Sequence, residues 1–121
     1  MNNPVARNAL KSRVMASFQT VYRLRGDLLD VESPKWSASV IALNRHLVSE
    51  IEWLRGIEPL MDAREGDPRK PFVVRYARSV AVLLRALSEA VKKRPVNPKL
   101  FEPVGTELLA FLALEGEGRR L

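Results

Sequence analysis

The chain has 121 residues, 46% hydrophobic and 28% charged, with 20 Lys and Arg against 14 Asp and Glu, a formal net charge of +6 and no cysteine. That length suits one domain with a usable core and excludes a second, while the hydrophobic fraction and mixed charges exclude a disordered chain. The missing thiols exclude disulfides and thiolate metal sites, and the positive charge favours polyanions, nucleic acid or an anionic membrane surface, without naming one.

Charges interrupt every long apolar run, so no stretch approaches the ~18 consecutive apolar residues of a spanning helix. The start, MNNPVARNALKSRVM, has no apolar region followed by a small-residue cleavage site, so a cytoplasmic protein without a membrane partner is expected. There is no repeat of fixed period and no low-complexity tract, and strand signals are scarce. The chain reads as helices punctuated by proline and glycine.

The first predicted helix runs from about Pro4 or Asn8 to Arg25, with Leu10, Val14, Phe18, Val21 and Tyr22 at spacings of three and four on one apolar stripe. Gly26 weakens it. Leu28, Leu29 and Val31 either extend that helix or form a packed loop, and the spacing leaves both open. Ser33-Pro34 is a start signal, because a serine oxygen can accept from an orphan backbone N–H and proline at the first helical position loses a donor that would be unpaired anyway. The second helix then carries Trp36, Val40, Ile41, Leu43, Leu47, Val48, Ile51 and Leu54 on a broad apolar face, with Gly56 placed to cap it.

A short turn from Pro59 to Arg64 is expected next, ended by Gly66, before Asp67-Pro68 restarts the chain into a third long helix from about Arg69 to Lys93. Asn97-Pro98 opens the last element, where Pro103 predicts one turn, a kink and a helix through about Glu115. The tail GEGRRL is expected to fray. Four to five helices joined by short connections predict a single all-α domain over 1–121, a compact antiparallel bundle.

Enzyme constellations are mostly absent. His46 is the only histidine and has no cysteine to complete a zinc site; it lies at the border of an apolar face and reads as a boundary residue. Asp27 with Asp30 and Glu50 with Glu52 read as solvated charges balancing nearby arginines. No Gly-rich phosphate loop, nucleophile elbow or dinucleotide fingerprint occurs, so a non-enzyme without cofactor or metal is expected.

The third helix is where binding chemistry concentrates. At 100° per residue, Val73, Tyr76, Ala77, Val80, Leu83, Leu84, Leu87 and Val91 gather on a core side, and Arg78, Arg85 and Lys92 fall within ~100° of Arg75. Glu89 is the one acid among them. Arg75 to Lys92 covers about 25 Å, enough to follow several phosphates, and Arg69, Lys70, Lys93 and Arg94 extend the charge at both ends. The plain alternative is a wet helix face whose late cations suit the negative end of the helix dipole.

A second cluster, Arg7, Lys11, Arg13, Arg23 and Arg25, lies in a 26-residue start without a carboxylate; were the first and third helices neighbours, the two strips would merge into a groove for backbone rather than bases. Trp36, Trp53 and Tyr22 are candidates for stacking on unpaired bases. Trp36 and Tyr22 sit on apolar stripes, which leaves Trp53 as the more exposed candidate.

The segment LRGIEPLMDAREGDPRKPFVVRYARSVAVLLRAL resembles the small helical subunit of type III CRISPR effector complexes, with Ala63 and Arg64, the charged turn Glu65 to Lys70, Phe72, and then Leu100 and Phe101 at matching places. The resemblance spans Trp53 to Glu115, and the last helix, TELLAFLALEGEG, departs from the family's basic, tyrosine-containing one. It implies a non-catalytic subunit, present in several copies among other subunits of a ribonucleoprotein complex, that binds RNA or single-stranded DNA, either the guide–target duplex or a displaced strand. Arg64, Lys70, Arg75 and Arg78 are the backbone contacts it implies, with Arg85, Lys92, Arg7 and Lys11 adding to the basic face. The competing expectation is a protein-interaction module or phage or plasmid regulator with an acidic partner.

Overall fold

A computed structural model describes residues 7–63, 66–92 and 98–121, with side chains from residue 9 onward. Its elements are α1 (Arg7–Leu28), α2 (Trp36–Asp62), α3 (Lys70–Val91), a 3-10 turn (Pro98–Phe101), α4 (Glu102–Leu112) and a short α5 (Glu115–Arg119). The chain is an all-α bundle, as expected. None of the described helices is long and apolar enough to cross a membrane.

Each of the four long helices packs on its neighbours in sequence, and α4 closes the ring against α1. Arg13 and Ser17 of α1 meet Glu50 and His46 of α2 in descending order, and Lys70 and Tyr76 of α3 meet Asp62 and Glu50. Both pairs of helices are therefore antiparallel. α1 and α3 lie diagonally across the bundle, so their basic strips do not merge into one groove. In a ring of four antiparallel helices, alternate members are separated by the core.

The centre is aromatic. Phe18, Phe72, Tyr76 and Phe111 are buried, with ring centroids 5.1 Å apart for Phe18 and Phe111, 5.7 Å for Phe18 and Tyr76, and 5.9 Å for Phe72 and Tyr76. Leu43, Leu47, Leu83, Leu87 and Leu108 extend the core along the axis, and Trp36 against Phe101 closes the far end, 5.5 Å between centroids. Burying each such side chain stabilises by about 1.5–3 kcal/mol.

Local signals and packing differ at three places along α1 and α2. α1 runs through Gly26 to Leu28, because Leu28 is fully buried and draws the last turn onto the core. α2 passes both Gly56 and Pro59 and absorbs the expected separate turn. Proline deletes a rung there, but Ile57 and Met61 on either side are buried, and their packing holds the helix together. Gly66 is the residue that breaks the backbone, at φ +75°, a conformation in which a Cβ would be strained. After it the Asp67 carboxylate accepts from the Arg69 N–H at 3.0 Å and α3 begins.

The carboxy-terminal residues pack instead of fraying. α5 lies against α1, and a Cβ at Gly118 would stand 3.0 Å from Phe18 Cε2, 3.5 Å from Phe72 and 3.6 Å from Met15. Glycine lets this turn touch the aromatic centre. Gly116, two residues earlier, faces open space. Replacing Gly118 by valine is expected to destabilise the protein by about 1–3 kcal/mol through overpacking, while Gly116→Ala leaves the melting temperature unchanged or raises it; thermal unfolding of both checks the docking of α5.

Candidate nucleic-acid interface

Arg78 and Arg85 are exposed on α3 and take part in no ion pair among the described residues. Seven residues apart, they stand ~10 Å from each other on one face. The same face carries exposed Val74, Ala81 and Val82. The other cations of α3 and its carboxy-terminal cap are committed: Lys70 Nζ lies 2.6 Å from Asp62 of α2, Arg75 forks onto Glu117 of α5 at 2.7 and 3.3 Å, and Lys92, the cap, meets Glu89 one turn away at 3.0 Å. Arg69 is also engaged, at 2.9 Å from Asp67. The strip is thus narrower in free charge than the wheel suggests.

The Lys70–Asp62 pair sets the register of α2 against α3, and counting seven residues along each helix brings Arg55 within about a turn of Arg78. Arg55 is exposed and unpaired among the described residues, and its wheel position alone does not single it out. Beside Arg85, a shallow groove between α3 and the start of α4 has Val82, Ala86, Ala90, Leu100 and Pro103 for its floor.

On α1, Lys11 is half-buried, without an ion pair among the described residues. The side chain of Arg7 and all of Arg64 fall outside the described residues. Arg13 is committed to the interior, with its Nη2 2.6 Å from Glu50 Oε2 and its guanidinium 5.0 Å from the Trp53 ring centroid.

Two readings of the aromatics reverse. Trp53, expected to be the exposed one, is partly buried under Arg13, 6.5 Å from Tyr76. Tyr22, expected on the apolar stripe, is 57% exposed. The stripe of Leu10, Val14, Ser17, Val21 and Leu28 centres near Val21, and Tyr22 lies one 100° step past it.

Glu50 is the larger correction. Expected in water, it is 1% exposed, and it terminates a chain of hydrogen bonds through three helices. Tyr76 Oη lies 2.6 Å from Glu50 Oε1 and 2.6 Å from Ser17 Oγ, and Ser17 Oγ lies 2.7 Å from His46 Nε2. The phenol has one proton, which a carboxylate takes in preference to a hydroxyl. One arrangement then satisfies every contact: His46 Nε2–H donates to Ser17, Ser17 to Tyr76, and Tyr76 to Glu50, whose second oxygen accepts from Arg13. No described pocket is lined by these five residues, so the relay is internal.

Burial, followed by the Glu50 charge and its hydrogen bond, raises the Tyr76 pKa far above that of a free phenol, which keeps the donor protonated. Burial pulls the His46 pKa below 6.5, and the positive charge of Arg13 adds to this, although Glu50 opposes them. Among the described residues no group of three His, Asp or Glu side chains is placed to hold a metal ion.

No protein-family model, curated protein or solved structure matches the chain.

Removing the phenol proton by Tyr76→Phe leaves Glu50 Oε1 and the Ser17 hydroxyl without their partner, and is expected to cost about 1–3 kcal/mol, seen as a melting temperature several degrees lower. His46 adds a pH dependence. Its folded pKa lies below its unfolded value, so between the two the unfolded chain binds more protons. Its contribution is complete above about pH 6.5 and is lost as pH falls toward the lowered folded value. Urea unfolding from pH 7.5 to 5 should show the decline in the wild type and a shallower one in His46→Gln.

Proposed function

We propose that this chain is a non-catalytic helical subunit that binds the backbone of nucleic acid through the outward face of α3, in the manner of the small subunit of a CRISPR-type ribonucleoprotein complex. The observation that carries the reading is the pair Arg78 and Arg85, exposed on one face and unpaired among the described residues. A guanidinium in that state is available to fork two phosphate oxygens. Arg55 on α2 widens the same surface.

The formal charge of +6 draws polyanions toward the whole molecule, and Val74 and Val82 on the arginine face offer apolar contact to sugar edges. Arginine-to-phosphate contacts supply affinity and register without reading sequence, so binding on this face is sequence-tolerant. The CRISPR-type assignment rests on the layout from Trp53 to Glu115, and RNA and single-stranded DNA both fit it.

A protein contact is the second reading, favoured by the exposed side of α4. Apart from Glu102 at its start, the exposed positions of that helix are Pro103, Thr106, Leu109 and Ala110, with Ala113 just beyond it. An uncharged helix face on so charged a chain suits contact with another subunit or another copy better than contact with a polyanion.

Arg78→Gln combined with Arg85→Gln should leave the bundle folded, since both side chains point into water. Fluorescence anisotropy with a labelled RNA at several salt concentrations is expected to show weaker binding and a salt slope reduced by roughly 1.5, the loss of two phosphate contacts. Undiminished binding by the double variant removes the α3 face from the reading. No binding by the wild type even at low salt removes nucleic acid altogether and leaves the protein contact.

A further inference from the structure

Between α1 and α5 the surface forms a concavity lined by Gln19, Tyr22, Arg23, Glu115 and Arg119. It lies on α1, across the bundle from the Arg78–Arg85 face. Tyr22 is the most exposed of the large hydrophobic side chains among the described residues, and Arg25 holds its guanidinium 4.8 Å from the centroid of the Tyr22 ring. Arg23 is exposed and has no ion pair among the described residues, whereas Arg119 lies 3.0 Å from Glu115. One guanidinium thus lies over the ring, and two more line the same concavity together with a single carboxylate.

Helical amphipathicity alone does not call for this arrangement. Phe18, Phe72, Phe101, Phe111, Tyr76 and Trp36 are buried, and a ring left in water forgoes the stabilisation that burial would give it. A ring stacked on a cation and flanked by further cations is the combination that single-strand binders use, since a base supplies a π-face and its phosphate a negative charge. The remaining lining groups suit a base edge: the Gln19 amide donates and accepts, and the Glu115 carboxylate accepts from an exocyclic amine.

Resting on the nucleic-acid reading above, we propose that this concavity binds one unpaired nucleotide of a single strand, its base stacked on Tyr22, its phosphate between Arg23 and Arg119, and its edge against Gln19 and Glu115. A duplex keeps its bases stacked on each other and cannot offer a face to Tyr22. The site therefore separates single strands from duplexes, which the backbone contacts of α3 do not. The amine preference of Glu115 favours cytosine and adenine over uracil and thymine.

The test uses the full chain and two labelled probes read by anisotropy at low salt, a single-stranded oligodeoxycytidine and a blunt-ended, loop-free duplex of equal charge. Tyr22→Ala is expected to weaken the single strand about 5- to 150-fold and leave the duplex unchanged, while Tyr22→Phe, which keeps the ring, retains most of the affinity. Arg23→Gln should also weaken the single strand selectively, and it decides the matter should Tyr22→Ala lose its thermal transition. Equal losses on both probes, or no loss on the single strand, overturn the nucleotide site. If Arg78→Gln with Arg85→Gln weakens binding and the Tyr22 and Arg23 variants do not, this site alone falls. If the wild type binds neither probe, the nucleic-acid reading falls and takes the site with it.

Discussion

A single buried carboxylate sets the geometry of the bundle. Taking Glu50 out of water is worth several kcal/mol against the fold unless its oxygens are saturated, and the partners that saturate it come from two other helices, Arg13 from α1 and Tyr76 from α3. Ser17 and His46 then satisfy Tyr76 in turn. An apolar core tolerates sliding and rotation at modest cost. A core with a directional chain of donors through three helices does not, because a shift of one residue strands a charge.

That constraint reaches the surface. With Tyr76 fixed at the centre, the 100° step of the helix turns Arg78 and Arg85 by about 200° and 180° away from it, directly into solvent. With Ser17 facing inward, Tyr22 falls about 140° away, outside the buried arc. The same polar network that orders the interior therefore decides which side chains face solvent, although none of its members lies in a described pocket.

The cations divide by what holds them. Arg13 is bound to a carboxylate that has no access to water, so it belongs to the fold. Lys70, Arg75 and Lys92 are tied to Asp62, Glu117 and Glu89, all with substantial exposure on both partners. Such pairs contribute about 0–1 kcal/mol and are screened by salt, so they hold these cations only weakly. Arg75 carries an added role, because its pair with Glu117 ties α5 to α3 while Gly118 ties it to α1. The tail is held to the bundle from both sides.

Composition and periodicity alone determined the helical class, the α3 core line of Val73, Tyr76, Val80, Leu83 and Leu87, though not the buried Phe72 and Ala90, and the inward line of Leu10, Val14, Phe18 and Val21, since burying an apolar stripe is a demand each helix makes by itself. They also placed Arg78 and Arg85 on a common outer face. Only the tertiary structure decided that Glu50 is internal, that Trp53 is covered by Arg13, that Tyr22 is left in water and that the strips of α1 and α3 lie on different sides. Gly56 and Pro59 carry stop signals that the buried Ile57 and Met61 override, and Gly118 reads as a loose tail until Phe18 is seen beside it. The reason is common to all of these: a charge or a ring is buried or exposed according to partners distant in sequence, 37 residues for Arg13 and Glu50 and 59 for Ser17 and Tyr76, and no local window contains them.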